Sequence, residues 1–249
     1  MIVSTLPITL FSVAAEDSSD KGGITAETVS GDYAALSNTL YKLQNDSRLT
    51  VGYIGDSIGA GQTTKYASDS EFLNYKSRNA GAYQVNSMVF TKVFTDWLSW
   101  YADKELNVSD ADIDAYYSAI GGATVAQALS YVREDICAYT PDLVVIEMYN
   151  SISNSEMYME SLIQQIYASN PYCDIIVFSA GGQCGTWSEL LDYYGIPFID
   201  GSAEMIKYFS RSDIFGSGAS FNANREYYFG DYPHTNEEGY HRKDLLANR

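Results

Sequence analysis

Two short stretches hold residue types that do chemistry together. Gly55-Asp56-Ser57 closes an apolar run, and Gly230-Asp231-Tyr232-Pro233-His234 stands near the end of the 249-residue chain. Ester hydrolysis by serine needs a hydroxyl, an imidazole base and a carboxylate that fixes the imidazole tautomer. It also needs donors aimed at the developing oxyanion. Ser57 is the candidate nucleophile, His234 the candidate base and Asp231 the candidate orienter. A tight turn stiffened by Pro233 can bring the carboxylate to Nδ1 and leave Nε2 for the serine. The chain has two histidines. His241 sits between Tyr240 and the basic pair Arg242-Lys243 in an expected terminal helix, so a serine hydrolase would have to use His234. Taken alone, each stretch is an ordinary polar turn.

Three donors are candidates for an oxyanion hole: the backbone N–H of Ser57, the backbone N–H of Gly122 and the side-chain amide of Asn150. Each follows an expected strand, so all three fall on the carboxyl rim of a sheet, where α/β folds place their ligands.

Those strands are read from apolar runs at Leu49–Ile54, Ala115–Ile120, Leu143–Tyr149, Asp174–Ser179 and Ile196–Ile199. Apolar spacing of three and four predicts helices over Asp32–Asn45, Val85–Tyr101, Thr124–Ala138, Ser155–Ser169, Trp187–Tyr194 and Ser202–Phe209, with a closing helix at Asn236–Ala247. Thr63–Tyr83 and Ser210–Gly230 read as loops. Asn107–Asp114 reads as a solvated turn and helix cap. Its aspartates alternate like a calcium loop, but the glycine and distal glutamate of that motif are missing. Strands alternating with helices predict an α/β fold, a three-layer doubly wound sandwich around a mainly parallel five-stranded sheet. We expect one domain over residues 32–249. Residues 1–31 form a signal-like apolar segment and a polar linker, although no basic residue opens the segment.

Composition narrows the partners. The formal net charge is −17, from 32 acidic and 15 basic residues. Such a surface repels nucleic acid and anionic membranes. No run is long enough to span a bilayer. The signal-like start and the acidity point to an extracellular, secreted protein. Cys137, Cys173 and Cys184 lack zinc spacing, and two histidines exclude a His-rich metal site. Cys137 and Cys173 are expected as buried thiols. The chain carries 22 tyrosines. Rings on the loops, Tyr66, Tyr75, Phe221, Tyr227 and Tyr228, either bind substrate by stacking on sugars or pack the loops onto the body.

In block order the chain resembles an SGNH (GDSL-type) hydrolase. The blocks are Gly55-Asp56-Ser57, then Ser118-Ala119-Ile120-Gly121-Gly122-Ala123-Thr124, then Met148-Tyr149-Asn150-Ser151, and last Asp231 to His234. The third departs from the family pattern: Met148 stands in place of glycine and Ser151 in place of aspartate. The resemblance implies a flavodoxin-like sheet and a serine ester hydrolase that uses no metal or cofactor, with Ser57, His234 and Asp231 as catalytic residues and Ser57, Gly122 and Asn150 as the oxyanion hole. Its style is that of carbohydrate acetyl esterases, with acylated polysaccharide or a small ester as substrate and further modules possible beyond the C-terminus. A lipase or thioesterase on the same triad, and a non-catalytic relative that binds polysaccharide or a cell surface, are the other readings.

Overall fold

The computed structural model describes residues 29–30, 36–59, 90–148, 155–179, 186–225, 229–231 and 234–235. Five parallel strands form the sheet: β2 (Arg48–Gly55), β3 (Asp112–Ala119), β4 (Leu143–Glu147), β5 (Asp174–Ser179) and β6 (Phe198–Asp200). A two-residue strand, β1 (Val29–Ser30), pairs antiparallel with β6 at the edge. The order is β1-β6-β5-β4-β2-β3. The parallel strands therefore run 2-1-3-4-5 in chain order, the flavodoxin-like arrangement expected from the sequence. The chain leaves β2 to build β3 on one side and then β4 on the other. This reversal puts a crevice at the carboxyl end of β2.

Alternation along each strand sorts side chains onto two faces. Leu49, Val51, Tyr53, Leu143, Val145 and Ile176 pack with α1 (Ser37–Asn45) and α2 (Phe90–Lys104). Ile54, Val144, Ile146, Ile175 and Val177 pack with α3 (Val125–Asp135), α4 (Ser155–Ser169) and α5 (Ser188–Tyr194). Strands buried on both faces are near-continuously apolar, which is why β4 and β5 were legible. Gly52 faces Ile136, whose Cγ2 lies 2.5 Å from where a Cβ at 52 would stand. No larger residue fits there without displacing α3 and the turn after it.

Several expectations are corrected. Asp112 and Asp114 are not in a solvated turn: they lie in β3, opposite Arg48 and Thr50 of β2. Arg48 bonds Asp114 at 2.6 Å and lies 3.9 Å from Asp112, so the positive charge that offsets them comes from 64 to 66 positions earlier in the chain. The helix read through Ala138 ends at Asp135, with a 3₁₀ turn at Cys137–Tyr139. The strand read to Tyr149 stops at Glu147. Ser210–Gly230 is not all loop. It holds the one-turn helices α7 (Ser212–Phe215) and α8 (Phe221–Asn224), the second capped by Ser220. Phe221 lies 5.8 Å from Phe209 of α6 (Gly201–Phe209) and so packs on the body. Cys137 and Cys173 are buried free thiols. Cys184 and the closing helix at 236–247 lie outside the described residues.

Asp174, at the start of β5, makes the fold pH-sensitive. Its Oδ2 accepts the Thr39 N–H at 2.6 Å, yet burial pushes its pKa up to about 6. An unfolded aspartate titrates near 4. Between these values the native state holds a proton that the unfolded chain has released, so stability falls as pH rises from about 4 to about 6. The shift corresponds to a loss on the order of 2–3 kcal/mol. Asp174→Asn keeps an acceptor for Thr39 and carries no charge. The gap in urea midpoint between variant and parent should widen in the variant's favour across that window. A gap that does not change with pH would contradict this.

Candidate active site

The turn after β2 is built by small residues packed closely. A Cβ at Gly59 would stand 3.1 Å from the Gly55 Cα, and one at Gly55 would stand 3.2 Å from the Glu147 carbonyl oxygen. The chain thus folds back over its own strand end, a close approach that glycine permits. Asp56 is fully buried, and its Oδ1 accepts the Ile58 N–H at 2.9 Å. It braces the turn. Ser57, just past the carboxyl end of β2, is 7% exposed. Ile58 anchors the turn from the other side, packing with Phe178, Met205 and Phe209.

β3 delivers Gly122 beside this turn. The Ile120 N–H donates to the Gly55 carbonyl at 3.2 Å, and the Ala123 N–H donates back to the Ile120 carbonyl at 2.9 Å. Gly122 occupies the third position of that reversal with φ +76°. This conformation favours glycine. No atom lies within 4 Å of where its Cβ would be. Thr124 then caps α3 through a reciprocal box with Gln127. At the helix's other end, the buried Asp135 accepts a 2.7 Å bond from the buried Ser118 hydroxyl of β3. The loop that carries Gly122 is therefore held at both ends of α3.

Asp231 and His234 meet in a second, two-stranded sheet. β7 (Phe229–Asp231) pairs antiparallel with β8 (His234–Thr235), with Asp231 opposite His234 and an irregularity between Phe229 and Asp231. The expected tight turn is thus a hairpin with two residues between the partners, and its register sets the two α-carbons opposite each other. Asn150, Tyr66, Tyr75, Tyr227 and Tyr228 lie outside the described residues. Among the described residues the structure ties the strand end before Ser57 to the turn that carries Gly122, through the Ile120–Gly55 bond, and sets Asp231 opposite His234 in the two-stranded sheet.

One residue of the site region was given no role by the sequence reading. Glu147, the last residue of β4, is buried opposite Gly55 in the ladder, and its Oε2 lies 3.4 Å from where a Cβ at Gly59 would stand. Its signal was a lone charge closing the apolar run Leu143–Ile146. The crowding at Gly59 has a testable consequence. The neighbours on two sides are backbone and a buried carboxylate, so a methyl there must shift the turn by a few tenths of an ångström. Gly59→Ala should lower kcat for any reaction at Ser57 about tenfold with little change in melting temperature, since misplacing a reacting atom costs rate before stability. An unchanged kcat would show that the turn tolerates the shift.

Among the described residues no group of His, Cys, Asp and Glu is arranged to hold a metal, and no helix is long and apolar enough to cross a membrane.

No family model matches the chain, and no curated protein matches it in sequence. Solved structures do match. A two-domain esterase active on acetylated mannans superposes with a TM-score of 0.62 at 14% identity, over 87% of this chain and 52% of the esterase. The chain thus spans about half the length of that protein. The lipase/acylhydrolase from Enterococcus faecalis gives 0.51 at 16% identity, over 81% of this chain and 94% of the lipase. An acetyl xylan esterase gives 0.51 at 15% identity, over 80% of this chain and 98% of the esterase. Identities this low speak to architecture. Together with the 2-1-3-4-5 sheet, they show that the chain has the SGNH (GDSL-type) hydrolase fold.

Proposed function

We propose that this chain is a serine ester hydrolase that removes acetyl groups from polysaccharide outside the cell. The observation that carries the reading is the Gly55-Asp56-Ser57 turn at the topological switch of the sheet, in a chain whose Asp231 and His234 are cross-strand partners. Ser57 Oγ attacks the ester carbonyl carbon while His234 takes its proton and Asp231 orients the imidazole. The oxyanion is held by the N–H groups of Ser57 and Gly122 and by the Asn150 amide. The C–O bond to the sugar then breaks, and the departing oxygen takes the proton from His234. Water, deprotonated by His234, releases acetate and restores Ser57. No step calls for a metal or cofactor.

The substrate class draws support from two fold neighbours, one described as active on acetylated mannans and the other as an acetyl xylan esterase. The signal-like N-terminus and the −17 charge favour a secreted enzyme on a neutral polymer. Tyr66, Tyr75, Tyr227 and Tyr228 are candidate sugar-stacking rings. The Enterococcus faecalis lipase/acylhydrolase favours a second reading, hydrolysis of longer acyl esters. The two separate on chain length. An acetyl esterase should release acetate from acetylated xylan or mannan and should favour 4-nitrophenyl acetate over the octanoate at least about tenfold, because surplus methylenes must find room in a small acyl pocket. Preference for the octanoate, with no acetate released from either polymer, would select the lipase reading.

A further inference from the structure

A second cleft opens at the opposite, amino-terminal edge of the sheet. It measures about 500 Å³ and is lined by Ser37 and Asn38 of α1, by Tyr167 at the end of α4, by Pro171 to Ile175 leading into β5, and by Tyr194 to Ile196 leading to β6. The six residues of β5 separate this edge from the rim that holds Ser57, on the order of 20 Å. Its walls are aromatic. Tyr167 and Tyr194 have ring centroids 6.4 Å apart with planes tilted 35°. Tyr193 stands edge-on to Tyr194 at 5.1 Å, outside the cleft proper. Tyr172 and Tyr193 are 76% and 82% exposed, so their rings are open to a ligand.

The polar groups among these rings define the ligand. The Tyr194 hydroxyl donates to Glu160 Oε1 at 3.0 Å and lies 3.4 Å from Gln164 Nε2. Ser37 adds a hydroxyl to the lining, while the Asn38 amide donates to the Asp142 carbonyl at 3.4 Å and the buried Asp174 takes the Thr39 N–H, so these two set the polarity of the floor. Among the described residues the lining contains no lysine or arginine, and the chain is strongly acidic. Phosphorylated, sulfated and carboxylate ligands are therefore disfavoured. A pyranose ring fits the remaining chemistry. Its C–H face packs on aromatic rings, and its hydroxyl rim exchanges hydrogen bonds with hydroxyl, amide and carboxylate groups.

We propose that this tyrosine-walled cleft binds a segment of neutral polysaccharide, as a second carbohydrate site remote from Ser57. The choice of polymer rests on the polysaccharide reading given above. A chain held here leaves the catalytic rim open, so the enzyme stays on its polymer between turnovers.

Affinity electrophoresis of the Ser57→Ala protein, in native gels cast with deacetylated glucomannan or neutral arabinoxylan, tests the site without turnover. The protein should be retarded by at least one polymer. Adding Tyr172→Ala should weaken that affinity about two- to tenfold, the range expected for one exposed aromatic contact, and Tyr172→Trp should restore it. Tyr172 lies in an exposed turn, so its replacement should not disturb folding. In the Ser57-intact protein, Tyr172→Ala should leave 4-nitrophenyl acetate hydrolysis unchanged. No retardation by either polymer, or retardation indifferent to both Tyr172→Ala and Tyr194→Ala, would overturn the proposal. Should the parent fail to hydrolyse any ester while its retardation still depends on Tyr172, the esterase reading falls and the cleft proposal stands.

Discussion

Ser57→Ala should lower kcat/KM for 4-nitrophenyl acetate by about 10⁴- to 10⁶-fold, the loss seen when a serine hydrolase loses its nucleophile. His234→Ala should fall in the same range. Asp231→Ala should lose less, because the imidazole can still accept the serine proton, although its tautomer is no longer fixed and the imidazolium loses its partner. The double variant Ser57→Ala/His234→Ala should be no worse than either single one, since residues that act as a unit are not additive. The melting temperature of Ser57→Ala should barely move. The side chain is small, and the turn is held by Asp56 to the Ile58 N–H and by the Ile58 contacts with Phe178, Met205 and Phe209. Stopped-assay rates for the four variants, with circular dichroism on each, check the set. Additive losses would mean that the two residues serve different steps.

Trp187→Ala should be the most damaging single truncation for stability. Trp187 is fully buried just before α5, within the larger core cluster. Its Nε1–H donates at 3.1 Å to the hydroxyl of Ser155, the buried first residue of α4. The ring thus joins the approach to α5 to the start of α4, the helices that follow β5 and β4. Removing it leaves a cavity and an orphaned hydroxyl. The expected cost is about 3–5 kcal/mol, a large share of the 5–15 kcal/mol typical of a domain. Trp187→Phe keeps most of the volume and should cost nearer 1–2 kcal/mol, chiefly for the lost bond. Urea unfolding at constant pH gives both numbers. Equal costs would show that the hydrogen bond, not the volume, dominates.

Legibility followed the physics of each element. α4 and β5 were read with the bounds they have, since Met159, Leu162, Ile163 and Ile166 mark one helical face and Ile175 to Phe178 are apolar throughout. The turn at Gly122 was legible because a glycine ending a strand has few purposes, and its φ of +76° supplies one. The beginning of β3 was not legible. Asp112 and Asp114 are poor strand formers, and their partner Arg48 lies across the sheet, beyond the reach of any local window. The hairpin of Asp231 and His234 was hidden for a like reason: its register is a property of the pair, and Pro233 and Gly230 read as turn residues. Glu147 was visible as a charge, but only the fold sets it under Gly59. Short helices such as α7 and α8 have too few residues for periodicity to speak.

The central claim is that Ser57 is the nucleophile, and covalent trapping tests it most directly. The protein is treated with diisopropyl fluorophosphate, digested and mapped by mass spectrometry. One phosphoryl adduct should appear on the peptide that contains Ser57, with esterase activity lost in step. The adduct should be absent from Ser57→Ala and should form slowly in His234→Ala. An adduct on a different serine, or ester hydrolysis that survives with Ser57 fully labelled, would contradict the assignment.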